Sequence, residues 1–154
     1  GEHVVSDKQK NFVEYKTWFR RTIQWIDFKF DDKEYSIVNF HGLWKPGRGK
    51  EDSPERLEQS ENIVKFLELK RDRNIILAGD FNLSLDTESV RIFEIFPLRN
   101  LIREYNIKDT RTNYYPKDNR FADYIFINSN VKVKEFKVLL DEVSDHAPLY
   151  LEFE

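Results

Sequence analysis

Four consecutive apolar residues, Ile75, Ile76, Leu77 and Ala78, stopped by Gly79-Asp80, constrain this chain most. The run is too short for a helix and has no polar face, so it reads as a strand covered on both sides. Such a strand needs partners and cover, and the flanking sequence supplies both. Residues 26–30 alternate apolar with Asp27 and Lys29, residues 35–41 form a second strand, and Asp31-Asp32-Lys33 is the turn of a β-hairpin. The loop 42–52 carries Pro46, Gly47 and Gly49 together with Lys45, Arg48 and Lys50. Ser53-Pro54 then opens a helix, with Ser as N-cap and Pro in the first turn. Leu57, Ile63, Val64 and Leu67 continue it at helical spacing to about residue 70.

Residues 87–96 and 98–105 are expected to be helical, divided by Pro97. Residues 122–127, 131–139 and 149–153 read as strands, and the alternation of the second slips at Lys134-Glu135, which a bulge explains. Residues 1–19 show no clean period and predict an irregular lead-in. The expected class is α/β (α+β), with hairpins and some antiparallel pairing.

With 154 residues, 40% hydrophobic and 15% aromatic, the chain can bury the core of one ordinary domain. Charged residues make up 34% but nearly cancel, to −3, which argues against a basic nucleic-acid coat or a membrane-surface protein. A local basic rim is compatible with that sum. The absence of cysteine excludes disulfides, thiol catalysis and cysteine-ligated metal, and fits a reducing, cytoplasmic setting. No apolar run reaches bilayer length, so no stable membrane insertion is expected. Gly1 at the start and the lack of any Met suggest a processed or shortened chain.

The polar residues of interest fall at the tips of the expected strands. His41 ends one, Asp80 and Asn82 follow the buried one, Asp123 lies in an apolar strand, and Asp145-His146 precede the last. Each has a plain reading. Asp80 is also suited to an Asx turn, Asp123 to a structural hydrogen bond, Asp145 to a cap or turn, and either histidine to a satisfied structural position. Strand tips on one sheet edge are also where sites are commonly built.

Taken in order, Asn39-Phe40-His41, Gly79-Asp80-Phe81-Asn82, Arg120-Phe121-Ala122-Asp123-Tyr124-Ile125-Phe126 and Ser144-Asp145-His146-Ala147-Pro148-Leu149 resemble the endonuclease/exonuclease/phosphatase superfamily. The resemblance implies part of a four-layer α/β sandwich, two packed mixed β-sheets flanked by helices, with the N-terminal strands missing. Residues 1–154 would then be the C-terminal portion of a single domain. It further implies a phosphoester hydrolase dependent on Mg²⁺ or Mn²⁺, in which His41, Asp80, Asn82, Asp123 and His146 are catalytic. Asp145, Asp80 and Asn82 would ligate metal. His146 would meet the phosphate or the attacking water, Asp123 would orient His146, and His41 would donate to a non-bridging oxygen. Hard oxygen ligands and a phosphate-bearing substrate suit Mg²⁺. Trp44, Lys45 and Arg48 form a candidate substrate-binding loop, or a solvated charged one. The substrate is a nucleic acid, a phospholipid headgroup or a small phosphoester. The family also uses an Asn ending its first strand and an early Glu as metal ligands, and no strand before Ile23 ends in either. This fragment alone is therefore expected to be inactive, and the alternative reading is a catalytically inactive family member or fragment acting as an interaction or binding module.

Overall fold

The run 75–78 lies inside a six-stranded mixed sheet of order β1-β2-β3-β4-β6-β5. The computed structural model describes residues 21–154 and, as backbone only, the strand at residues 6–11. Its strands are β1 (Ser6–Asn11), β2 (Thr22–Phe30), β3 (Lys33–His41), β4 (Asn74–Asp80), β5 (Arg99–Asn100) and β6 (Asp123–Ile127). Only β3 and β4 run parallel; the other pairings are antiparallel. The parallel crossover is made by helix α1 (Pro54–Glu68). Ser53 caps it, its side chain accepting from Arg56 N, with Pro54 in the first turn as the sequence predicts. Helix α2 (Glu88–Ile95) packs on α1. The second sheet is the antiparallel pair β7 (Val133–Val138) and β8 (Leu149–Phe153), and its register breaks between Val133 and Glu135, where the sequence alternation slips.

Three expectations change. Residues 6–11 are not an irregular lead-in: they form β1, an edge strand paired with β2 and ending at Asn11, so a strand before Ile23 does end in Asn, against expectation. Its sequence SDKQKN has no apolar residue, so no period marks it, and a charged, polar edge is how sheets resist further pairing. Residues 1–5 and 12–19 of the expected lead-in lie outside the described residues. Strand β2 starts at Thr22 rather than Ile26, because the inward residues are Ile23 and Trp25 while Ile26 faces out. The expected helix at 98–105 shrinks to α3 (Leu101–Glu104), since Arg99 and Asn100 pair with Ile127 and Phe126 of β6. Asn100 caps what remains, its side chain accepting from Ile102 N and Arg103 N.

Asp31 and Asp32 both have positive φ, 46° and 62°, so the β2–β3 hairpin closes through a two-residue turn whose twist matches the strands. Phe81 anchors the centre of the core. Its ring centroid lies 5.2–5.5 Å from those of Phe40, Phe93, Tyr124 and Phe126. Since Phe81 separates Asp80 from Asn82, burying it fixes the polar residues on either side. The second sheet joins the same core through Phe136, Leu149, Leu151 and Phe153.

Gly79 has φ 146°, and a Cβ there would lie 1.8 Å from the carbonyl oxygen of Phe40. Strands β3 and β4 approach so closely at this rung that Gly79→Ala should destabilise the protein by about 3 kcal/mol, combining backbone strain with overpacking. A chemical-denaturation midpoint checks this; an unchanged midpoint would mean the strands separate there at no cost.

Candidate active site

Strand register brings the site together. His41 of β3 pairs with Asp80 of β4, and Asp80 pairs with Asp123 of β6, so three polar residues from distant sequence share one rung. The fourth, His146, arrives on the segment before β8. It bridges to Arg111, while Thr112 N donates to Asp145 O at 3.2 Å and Ala147 N donates to Thr110 O at 3.1 Å.

His146 Nδ1 lies 2.9 Å from both carboxylate oxygens of Asp123. A carboxylate is an acceptor, so the proton belongs on Nδ1 and the Nε2 lone pair is left facing the cavity. His146 Nε2 and His41 Nε2 are each 3.7 Å from the same oxygen, Asp80 Oδ2. At that separation the groups attract without bonding directly. Burial, with help from the Asp80 charge, raises the Asp123 carboxyl above its ordinary value, and His146 opposes the rise. Burial and the Arg21 charge push His41 below its ordinary value.

The raised Asp123 value gives a pH prediction. Ionising that carboxyl opposes folding, so its stabilising contribution is complete below the ordinary Asp value of about 4 and is lost as pH rises through the folded-state value. In chelator, Asp123→Asn should therefore gain stability relative to the unsubstituted protein as pH rises above about 4. Unfolding midpoints at increasing pH test it. A difference that is flat with pH would mean that the surroundings of Asp123 do not disfavour its ionised form.

Asn82 is not extended. Its φ is 53°, its backbone N donates to Asp80 Oδ1 at 2.9 Å, and its side-chain Nδ2 donates to Gly42 O at 3.2 Å. Asp80 thus makes the Asx turn and faces the site at once, and the Asn82 amide oxygen stays available. Asp145 is half-exposed, and its Oδ2 accepts from Arg111 Nη1 at 2.9 Å.

His41, Asp80, Asn82, Asp145 and His146 line one cavity of about 360 Å³. Trp44 lines it too, and also an adjoining cavity of about 350 Å³. Lys45 lines only the second and pairs with Glu55 at 2.5 Å. Arg48 lines neither, because its place at the loop tip turns it to solvent. A larger cavity of about 610 Å³, walled by Tyr105, Phe136 and Leu139, contains none of these histidines.

Four cavity residues escape the sequence reading: Arg21, Arg111, Tyr115 and Lys117. Nothing local marks them, since a polar stretch such as 106–120 reads as solvated until tertiary structure buries Arg111. Lys50 also lines the cavity, but its ammonium donates to Asn119 O at 2.8 Å and Phe121 O at 2.6 Å and lies over the Tyr115 ring. It clips the 42–52 loop to the segment entering β6. Burial pushes its pKa down.

The fold is similar to solved structures. A mannosyl-6-phosphatase from Bacteroides thetaiotaomicron VPI-5482 shares 21% identity at a TM-score of 0.78, covering 99% of this chain and 67% of the other. The human Nocturnin catalytic domain with bound sulfate shares 16% at 0.72, covering 99% and 59%. TDP2 from D. rerio, complexed with a single-strand DNA product, shares 17% at 0.71, covering 97% and 68%. The chain thus spans roughly three fifths to two thirds of the length of these structures. No curated protein sequence matches it significantly. A profile of the endonuclease/exonuclease/phosphatase family matches residues 3–146, nearly the whole length, and the chain belongs to that family.

Proposed function

We propose that this chain is the C-terminal portion of a single domain that hydrolyses phosphoesters with Mg²⁺ or Mn²⁺ in a cytoplasmic setting. The observation that carries the reading is the linked set Asp123–His146–Asp80–His41, with both histidine Nε2 atoms 3.7 Å from one carboxylate oxygen. Family membership and the phosphatase and nucleic-acid-bound neighbours support the same class.

The residues divide the work. Asp123 holds His146 in one tautomer and stabilises its protonated form, so His146 Nε2 can take or return a proton at the phosphoryl group or the attacking water. His41, with Nε2 at the cavity, donates to a non-bridging oxygen as charge develops there. Asp80 Oδ2 orients the water between the two imidazoles, and the Asn82 amide meets a phosphoryl oxygen or a cation. Asp80, Asp123 and His146 offer ligand atoms within 4.8 Å of one another, but Asp123 and His146 are paired with each other. The family resemblance assigns the cation to Asp80, Asn82 and Asp145, all of which line the cavity and whose hard oxygens would suit Mg²⁺ or Mn²⁺. The cation supplies charge neutralisation and a more acidic water.

Trp44 and Lys45 would contact the remainder of the ester, whether nucleic acid, headgroup or small molecule; Arg48 would do so only if the loop tip turned inward.

The test is hydrolysis of bis-p-nitrophenyl phosphate and p-nitrophenyl phosphate by the complete protein. Activity should vanish in EDTA and return with Mg²⁺ or Mn²⁺. The Arg111–Asp145 ion pair favours a second reading, in which Asp145 serves a counterion rather than a metal and the domain only binds. Absence of hydrolysis of either ester at saturating Mn²⁺ would favour that one.

A further inference from the structure

The cavity holds more cationic capacity than its carboxylates use. Arg111 has a side chain only 4% exposed, yet its one ion-pair partner is the half-exposed Asp145. Its guanidinium lies 4.3 Å from the Tyr115 ring centroid, and its Nε is buried without a hydrogen-bond partner. Arg21 Nε is likewise buried and unpartnered. Both arginines line the cavity of His41 and His146. Arg21 immediately precedes β2, whose pairing of Ile23 with Phe40 puts it at the His41 end of β3, while Arg111 bridges to His146, so the two arginines come from the sides of opposite members of the histidine pair. Leaving a buried guanidinium N–H unpaired is costly, and native interiors rarely do so without a ligand or water to receive it.

We propose that Arg21 and Arg111 form a two-guanidinium clamp for the non-bridging oxygens of the phosphoryl group. A guanidinium is a planar fork of N–H donors matched to tetrahedral oxyanions, which an ammonium is not. The two arms differ in exposure. Arg111 is buried and held by Asp145, by Tyr115 and by its backbone bridge to His146, so it is already aimed when charge develops and acts on turnover. Arg21 is more exposed, and acts mainly on binding. The clamp rests on the phosphoester-hydrolase reading, and the experiment separates the two.

Arg111→Gln, Arg111→Lys, Arg21→Gln and His146→Ala are compared in the complete protein at saturating Mg²⁺. Steady-state kinetics are measured together with inorganic phosphate binding by calorimetry. Arg111→Gln is expected to lower kcat about 10²-fold or more, as removal of a preorganised oxyanion donor does. Arg111→Lys should recover less than about a tenth of the lost rate, for want of the fork. Arg21→Gln should weaken phosphate binding and raise KM by about tenfold, with kcat within about threefold. If His146→Ala is dead while the arginine variants keep kcat and phosphate affinity within about twofold, the clamp is overturned and the hydrolase reading stands. An Arg111→Gln variant altered only in the Mg²⁺ concentration it needs would also overturn the clamp, leaving Arg111 as a counterion of Asp145. A fully active His146→Ala would remove the underlying reading. If Arg111→Gln does not fold, Arg111→Lys, which keeps a cation for Asp145, and Arg21→Gln decide the matter by the same criteria.

Discussion

His146→Ala should lower kcat by about 10²–10⁴-fold at saturating Mg²⁺ and leave KM nearly unchanged. The reason lies in what the ring touches. Its Nδ1 is committed to Asp123, so only Nε2 faces the reacting group, and that nitrogen matters most when a proton moves in the transition state. Removing it takes away an acid–base group without removing a substrate anchor. Asp145→Ala next to it should behave differently: it removes a hard-oxygen ligand and should raise the Mg²⁺ concentration needed for half-maximal rate, with partial rescue by excess metal. Excess metal should not rescue His146→Ala. Metal titrations of the two variants distinguish the roles, and restoration of the His146 variant by metal would show that they have been exchanged.

The second large effect is on stability. Arg56→Ala should cost about 3 kcal/mol, lowering the melting temperature by roughly 10 °C for a domain of this size. Arg56 is 2% exposed, and its guanidinium serves the loop that follows His41. Nε donates to Leu43 O at 3.2 Å, Nη2 donates to Gly49 O at 2.9 Å, and Nη1 donates to Glu51 O. One side chain on α1 thus holds three carbonyls of residues 43–51, and its loss strands them together. Arg56→Lys keeps the charge but reaches fewer of the three, so it should recover only part of the stability. If calorimetry shows Arg56→Ala melting with the parent, the loop is held by other contacts.

These effects were legible in the sequence to different degrees, for physical reasons. The doubly covered strand 75–78, the Ser53 cap and the slip at Lys134-Glu135 are local patterns, and each appears where the pattern places it. The sequence of strand β1 carries no apolar residue, so no period marks it, and only its backbone pairing with β2 reveals it. Asn100 could extend a helix or cap one, and pairing with Phe126 decided for the cap. At the site, the polar residues at the ends of core strands stand out by their place in the strand pattern, and the family resemblance joins them into motifs. Arg56 and Arg111 do not stand out: each is a cation in a stretch that looks solvated, buried only because carbonyls or a carboxylate from elsewhere receive it.

The rung shared by His41, Asp80 and Asp123 has a consequence for how the protein comes into being. Two of its three members meet across a parallel crossover, and His146 joins through long-range contacts with Arg111 and Asp123. Parallel pairing and long-range bridges close slowly, because the chain must first lose the freedom of the intervening loop. No hairpin or helix of this chain carries the site by itself. For the complete protein, if it is the hydrolase proposed above, recovery of catalysis during refolding should therefore trail recovery of helical signal, making activity a reporter of the last long-range contacts to form.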